Sequence, residues 1–399
     1  MPQRSSFVQH GLAQNTFDNI AHHHVLDALG PFPAKELIRQ WLKAGYVDKG
    51  VFHATDTGTP QGGVVSPLLA NIALHGLEEA LGITRTSRGF LKGTRALVRY
   101  ADDCVVFCES KEDAEHVLTI LTAWLAERGL TLSEEKTRIV HLTDGFDFLG
   151  FTIRRYKDPG ARTGYKLFIT PSKESVHRLR ERLRAEWRAL VGHPLDALIK
   201  RLNAIIRGWA AYVRISVASR TFRALDHWMV TRGLRYTKRR HPHKSHAWRT
   251  ARYWGRFNPA RRSTWVFGNT HSGAYIQLFT WTTIKRHTLV RGTASPDDAR
   301  LRDYWATRKA ARAADLRPSL QKIAKNQGYV CQVCGETLFN EEELHKHHIV
   351  PRAQGGSDSD TNLALTHLYC HQQIHSGETE IVPPTAHEPT RRWLRQWLA

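Results

Sequence analysis

Two groups of residues in this chain have the types and spacing for chemistry. The first is the stretch "ALVRYADDCVVF", Ala96 to Phe107, in which apolar β-formers surround the adjacent carboxylates Asp102 and Asp103. Two carboxylates side by side repel one another and need a cation. At a hairpin tip they can share the two divalent ions, about 3.5–4 Å apart, that phosphoryl transfer from a nucleotide uses. Such a site usually needs a third carboxylate. The second group begins at "CQVCGETLF". Cys331-x2-Cys334 and His367-x2-Cys370 are two knuckle-like pairs with 32 residues between them, a Cys3His set suited to a closed tetrahedral zinc. Between and after these pairs lie His347-His348, Asn362, His371 and His375. His371 and His375 are four apart, on one face of a helix.

The elements that must position these residues follow from periodicity. "AKELIRQWLKAGYV" and "LLANIALHGLEEAL" have helical spacing, and "KEDAEHVLTILTAWLAERGL" reads as an amphipathic helix closed by Gly129. "ALVRYADDCVVF" reads as two strands, and "KTRIVHL" and "FDFLGFTIRR" as further strands. Helix-strand-strand-helix-strand is the order of a split βαβ, or palm, arrangement. From Ser172, an expected N-cap, to Arg262 the pattern is helical and basic. "STWVFGNTHSGAYIQLFTWTTIKRHTLV" leans towards β, and "SPDDARLRDYWATRKAARAADL" reads as a charged helical connector.

Composition narrows the partners. The 399 residues carry 58 Lys and Arg against 37 Asp and Glu, a formal charge of +21. Residues 171–260 hold +16 of that charge, together with five of the 12 tryptophans. Cations beside flat, stackable rings are what RNA recognition uses. Trp209 and Trp228, at helical spacing, read first as core. No stretch reaches the roughly 18 apolar residues of a membrane span, and Met1–Gln14 lacks the apolar run of a secretory signal. The five cysteines suit a reduced, cytoplasmic protein with a metal site.

Four ordered blocks, "GTPQGGVVSPLLANI", "RYADD", "GLTLSEEKT" and "FDFLGF", resemble the later blocks of group II intron reverse transcriptases. "LNAIIRGWAAYVR" through "RRHPHKSHAW" and the following "YW" resembles the intron maturase region, and the Cys/His segment is similar to HNH nucleases of the ββα-metal type. The resemblance implies that Asp102 and Asp103 hold Mg2+ or Mn2+, that Gln61 and Gly62 line nucleotide and template, and that Lys136 lies near the triphosphate. It implies RNA contacts from Arg207 and from Lys238, Arg239, Arg240 and Lys244. In the HNH module it makes His348 the general base, His347, His371 and His375 the ligands of one catalytic cation, and Asn362 the residue that holds the loop and orients His348 through a backbone carbonyl. The Gly-rich turn "PRAQGGSDSDTN" would let backbone approach phosphate, and His345 is a competing ligand.

The start of the chain departs from the family pattern. The third metal ligand belongs to a block Asp-Ile-x-x-x-Phe-Asp-x-Ile. Here the match begins at "TFDNI", and Leu12 stands five residues before Phe17; Asp18 corresponds to the structural acid of the block. The preceding residues do not resemble the strand expected there, and the earlier fingers blocks are not seen. The expectation is a natural truncation or the surviving part of a longer frame, without competent polymerase chemistry.

The reading is therefore an α+β multidomain chain. It comprises a partial mixed α/β palm (1–156), a basic α-helical thumb and maturase region (157–315), an HNH endonuclease with structural Zn2+ (316–380) and a basic tail (381–399). The expected partners are intron RNA and target DNA, with no membrane. The expected roles are splicing maturation and nicking of one DNA strand for intron mobility. The alternative is a non-enzymatic RNA-binding splicing cofactor with relic catalytic modules.

Overall fold

The computed structural model describes residues 7–14, 19–59, 63, 65–86, 89–133, 135, 137–259, 261–292, 294–295, 298–313, 316, 318–339 and 344–375. The chain divides into two compact units, Met1–Leu289 and Val290–Ala399.

In the first unit, the strands Ala96–Tyr100 and Asp103–Cys108 form an antiparallel hairpin turned by Ala101 and Asp102, with Ala101 at φ +53°. Asp103–Cys108 is buried on both faces, and its period of two divides it between two cores. Cys104, Val106 and Cys108 pack with Ala114, Val117 and Leu121 of the helix Lys111–Ala126. Val105 and Phe107 pack with Val8, Phe146, Phe148 and Ile153. The helix starts at Ser110, whose Oγ accepts from the Asp113 amide at 3.1 Å. It ends before Gly129, where φ is +75° and a Cβ would press on the Asn19 carbonyl.

One expectation is overturned here. Residues Phe7–Gln14 form a strand at the centre of this sheet, paired antiparallel with Asp103–Cys108 on one side and with Arg138–His141 and Thr131–Leu132 on the other. Gly11 and the scattered polar residues give "FVQHGLAQ" little intrinsic strand preference. Its conformation is dictated by the two neighbouring edges it fills and by Val8, which is fully buried between them.

Two helical expectations are interrupted by glycine. The first helix stops at Lys43, and after Gly45 the residues Tyr46–Asp48 pair with Val51–His53. The second is divided into Ser66–Ala73 and Leu77–Ala80 by Gly76, at φ +88°.

The strands Phe146–Phe148, Phe151–Lys157 and Tyr165–Pro171 make a separate three-stranded sheet. Ser172, its Oγ accepting from the Ser175 amide at 3.1 Å, then opens the helix Lys173–Ala189. This helix packs with Leu195–Val213 and Ser219–Arg240 around Leu183, Leu198, Leu202, Ile206, Phe222 and Leu225. Trp187 and Trp254 belong to that core, and Trp209 and Trp228 pack against it. The stretch that leans towards β in sequence contributes only the two-residue strand Val266–Phe267 and a 3-10 turn at Phe279–Trp281. Its apolar residues serve instead as a lid on the helices, held by Asp226, which accepts from the Phe279 and Thr280 amides at 2.7 and 3.1 Å.

The second unit contains the helices Arg302–Ala313 and Pro318–Asn326, the hairpin Leu344–His348 and Leu363–His367, and the helix Leu368–His375. Tail residues 381–399 lie outside the described residues.

Candidate active sites and nucleic-acid interface

The carboxylate hairpin places Asp102 in its turn and Asp103 at the first position of the returning strand, both half-buried. Beside them the Arg99 guanidinium donates to Asn71 Oδ1 at 2.8 Å and to the Ala101 carbonyl at 2.9 Å, bracing the turn. Burial pushes the Arg99 pKa down. Across the ladder, position 12 pairs directly with Asp103, and it is a leucine. Gln61, Gly62, Lys136 and Asp18 lie outside the described residues.

In the second unit, one donor atom from each of Cys331, Cys334, His367 and Cys370 lies within 4.8 Å of the other three. His367 Nδ1 is 3.4 Å from Cys334 Sγ and 3.9 Å from Cys370 Sγ. Its Nε2 faces the Thr337 carbonyl at 3.1 Å, a contact that puts the ring proton there and turns the Nδ1 lone pair towards the sulfurs. The knuckle closes through Gly335, at φ +75°, whose amide donates to the Cys331 carbonyl at 2.9 Å. A tetrahedral ion with metal–sulfur bonds of about 2.3 Å needs ligands roughly 3.8 Å apart, so this set fits one. The thiols are crowded, and those of Cys331 and Cys370 are buried. Burial, then the neighbouring Cys331 and Cys334, push the Cys370 pKa up to about 12, and burial also raises that of Cys334. Without a cation these sulfurs resist ionising together; with one, they become thiolates.

A second cluster joins His347 to His371 and His375, with ligand nitrogens within 4.8 Å of one another. The hairpin supplies the first and successive helical turns supply the others. Burial, followed by the neighbouring imidazoles, lowers the pKa of His347 and of His371. Both are thereby kept neutral, the state in which imidazole binds metal. His345, two residues before His347 on the strand, stacks at 5.1 Å from the His371 ring.

Around His348 the arrangement departs from expectation. Asn362 does hold the loop. Its Oδ1 accepts from the Val350 amide at 2.8 Å, and its Nδ2 donates to the Val350 and Ser357 carbonyls at 3.0 and 2.8 Å. The His348 ring instead meets Asp358, Nε2 to Oδ1 at 2.7 Å, and Arg352 grips the same carboxylate at 2.6 Å. Arg352 first, then His348, hold the Asp358 carboxyl down at about 2. Neither residue stands out in sequence, because each is an ordinary charge in a polar loop. Gly356 is explained by packing rather than by phosphate, since a Cβ there would run into the Val350 carbonyl and crowd Asn362 Nδ2.

In the basic region Lys238, Arg239 and Arg240 end the helix Ser219–Arg240, and Lys244 follows in the next turn, all exposed. Arg207 is exposed on a different helix, Leu195–Val213.

Comparison with known proteins gives three matches along the chain. Residues 13–153 match the reverse transcriptase (RNA-dependent DNA polymerase) family, 176–254 the group II intron maturase-specific domain and 331–377 the HNH endonuclease family. The chain is 29% identical over 204 residues to the group II intron-encoded protein LtrA of Lactococcus lactis subsp. cremoris, covering 36% of this chain and 34% of that protein. The chain thus carries, in this order, a reverse-transcriptase region, a group II intron maturase region and an HNH endonuclease region. Protein YkfC of Escherichia coli (strain K12) is 30% identical over 182 residues, 38% of this chain and 48% of that protein. The chain thus spans half or less of the length of these curated relatives. Among solved structures, apo telomerase from Candida tropicalis aligns at 13% identity and a TM-score of 0.36, covering 60% of this chain and 48% of that one. Within this chain the carboxylate hairpin falls in the reverse-transcriptase region. The helices carrying Arg207 and Lys238–Arg240 fall in the maturase region, and both His clusters fall in the HNH region.

Proposed function

We propose that this chain nicks one strand of a target DNA with its HNH module and binds its intron RNA through the basic helical region, serving splicing and mobility of a group II intron in the cytoplasm. The observation that carries the nuclease reading is the convergence of His347, His371 and His375 next to His348, on a loop clamped by Asn362. A divalent cation, Mg2+ or Mn2+, held by the three imidazoles would supply positive charge for the scissile phosphate and the departing oxygen. His348 takes a proton from the attacking water. As the new P–O bond forms, the bond to the 3′ oxygen breaks and that oxygen is protonated from solvent. The free 3′-hydroxyl so produced is what a reverse transcriptase extends. Zn2+ on Cys331, Cys334, His367 and Cys370 would fasten the module's knuckle to its helix.

For the polymerase half, Asp102 and Asp103 would take a divalent cation, while Gln61, Gly62 and Lys136 would line the nucleotide and template as in the family. Leu12 opposite Asp103 withholds the third carboxylate, and this favours a reading in which polymerase chemistry is weak or lost in the chain as written. The deciding experiment is a Mg2+-dependent nicking assay of the full chain bound to its intron RNA. His348→Ala is expected to lose about 100-fold or more in rate, as for removal of a general base. Undiminished cutting by that variant would overturn the assignment. No cutting by the wild type would leave the RNA-binding cofactor as the function.

A further inference from the structure

A concavity of about 160 Å³ opens where the helices Ser219–Arg240 and His246–Tyr253 meet the turn after Phe267. Arg240, Arg252 and His271 line it with Asn269 and Thr270, and Leu195 and Tyr253 complete the wall. Its parts are fixed from behind. Arg240 donates to the Tyr236 hydroxyl at 2.6 Å and to the His193 carbonyl at 3.2 Å. The turn is tied down by Asp196, whose Oδ1 accepts from Asn269 Nδ2 at 2.7 Å and Ser272 Oγ at 2.8 Å. That carboxylate is occupied with the turn, and neither guanidinium of the pocket has an ion-pair partner among the described residues.

Apart from Asp196, the charged groups of the neighbourhood are cations. His241, hydrogen-bonded to Tyr253 at the back of the pocket, has its pKa lowered by burial and then by Arg240, Arg252, Lys244 and Arg249. Four cations beside the one carboxylate of Asp196 leave an excess of positive charge that an anion from outside would relieve. Arg252 and Lys244 also lie against the exposed ring of Trp248, at 5.5 and 5.4 Å from its centroid, a flat surface at the pocket's edge.

We infer that this pocket seats one backbone phosphate of folded RNA, gripped by the forks of Arg240 and Arg252. Two convergent guanidiniums match the paired oxygens of a phosphodiester. The volume admits a phosphate with part of its ribose and does not admit a duplex. RNA is chosen over DNA because the helices supplying both arginines lie in the maturase-specific region. The inference rests on the RNA-binding reading above and locates it.

The test uses the full chain and a fluorescent RNA stem-loop, with the DNA stem-loop of the same sequence as competitor. Arg240→Gln with Arg252→Gln is expected to weaken binding roughly tenfold or more at physiological salt, and to flatten the slope of log K against log salt by about 1–2. The charge-matched control, Arg220→Gln with Arg223→Gln, lies about 25–30 Å away along the same helix and is expected to lose less than about threefold. Arg240→Lys with Arg252→Lys keeps the charge without the forks and should restore only part of the affinity. Arg252→Gln alone spares the hydrogen bonds of Arg240, so it serves if the double variant does not fold. Equal losses in pocket and control variants, or full rescue by lysine, would overturn the pocket. DNA competing as well as RNA would overturn the choice of RNA. A wild type that does not bind the stem-loop would instead overturn the RNA-binding reading itself.

Discussion

Leu12 and Asp103 are direct partners across the antiparallel pair at the centre of the palm sheet. The backbone register thus sets position 12 directly opposite position 103, at the spacing across which paired residues interact. Leu12→Asp is therefore expected to tighten Mn2+ binding at the hairpin by about an order of magnitude, because added negative charge strengthens the Coulomb attraction. Electron spin resonance in a background lacking His347, His371 and His375 would read this. Asp103→Asn should cancel the gain, and a gain that survives would place the ion elsewhere. The chain with leucine at position 12 is expected to extend a primer no faster than the Asp102→Asn, Asp103→Asn variant.

The Cys3His set predicts that the second unit's stability depends on metal. Chelation, or Cys331→Ser, is expected to lower or abolish the cooperative thermal transition of this unit, since metal-binding energy in such small modules is folding energy. Native mass spectrometry should show the loss of one zinc on the same titration. A transition indifferent to chelation would mean that the four donors do not hold an ion.

Gln327 is buried at 8% exposure and makes three side-chain bonds. Its Nε2 donates to the Val330 and Leu365 carbonyls at 2.6 and 2.8 Å, and its Oε1 accepts from the Leu365 amide at 2.8 Å. Gln327→Leu leaves these backbone groups unmet and should cost about 2–3 kcal/mol. The measurement is urea unfolding of the zinc-loaded chain, with the slope unchanged.

Asp226 sets a pH dependence. Burial pushes its carboxyl above the ordinary value of 3.8, although the Thr280 hydroxyl and the two amides pull it back. The folded state therefore holds this proton more tightly than the unfolded one. The resulting stability is complete below the unfolded value and is lost as pH rises through the raised folded value. Asp226→Asn removes this titration. The melting temperature of the wild type relative to Asp226→Asn should thus fall as pH rises from the acid side. A difference independent of pH would show that the donors cancel burial, and one that grows with pH that they outweigh it.

Asp358 occupies the Nε2 of His348, the proposed base, and the Arg352 guanidinium, a group of the type that binds phosphate. Its pKa is lowered to about 2, so both contacts are complete above its ordinary 3.8 and are lost only as pH falls towards 2. Acid does not release it in any practical assay. Asp358→Ala is expected to lower KM for nicking by about threefold or more, because the competent state becomes more populated, with kcat little changed. A fall in kcat at constant KM would show that the carboxylate orients His348 instead.

Local signals made much of this architecture readable. The apolar β-formers around Asp102 and Asp103 predicted two strands, and Ser172 predicted the helix it caps. The Cys/His spacing predicted two sets of donors, and each set lies within 4.8 Å. What escaped depends on distant partners. Phe7–Gln14 is a strand because two edges separated by some 30 residues of sequence both need a neighbour. The apolar stretch after Ser263 packs as irregular chain because Asp226 and the helix faces receive it, not other strands. Arg352, Asp358 and Gln327 act through bonds that composition and period do not encode.

The amide of Gln327 has a consequence for how the second unit behaves among other molecules. It satisfies the Leu365 N–H and C=O along the outer side of the strand Leu363–His367, as another strand would. A hairpin of two five-residue strands otherwise presents an open border that invites pairing with a second chain. One glutamine side chain closes that border at its midpoint, so this side of the hairpin is blocked against edge-to-edge pairing by a single residue.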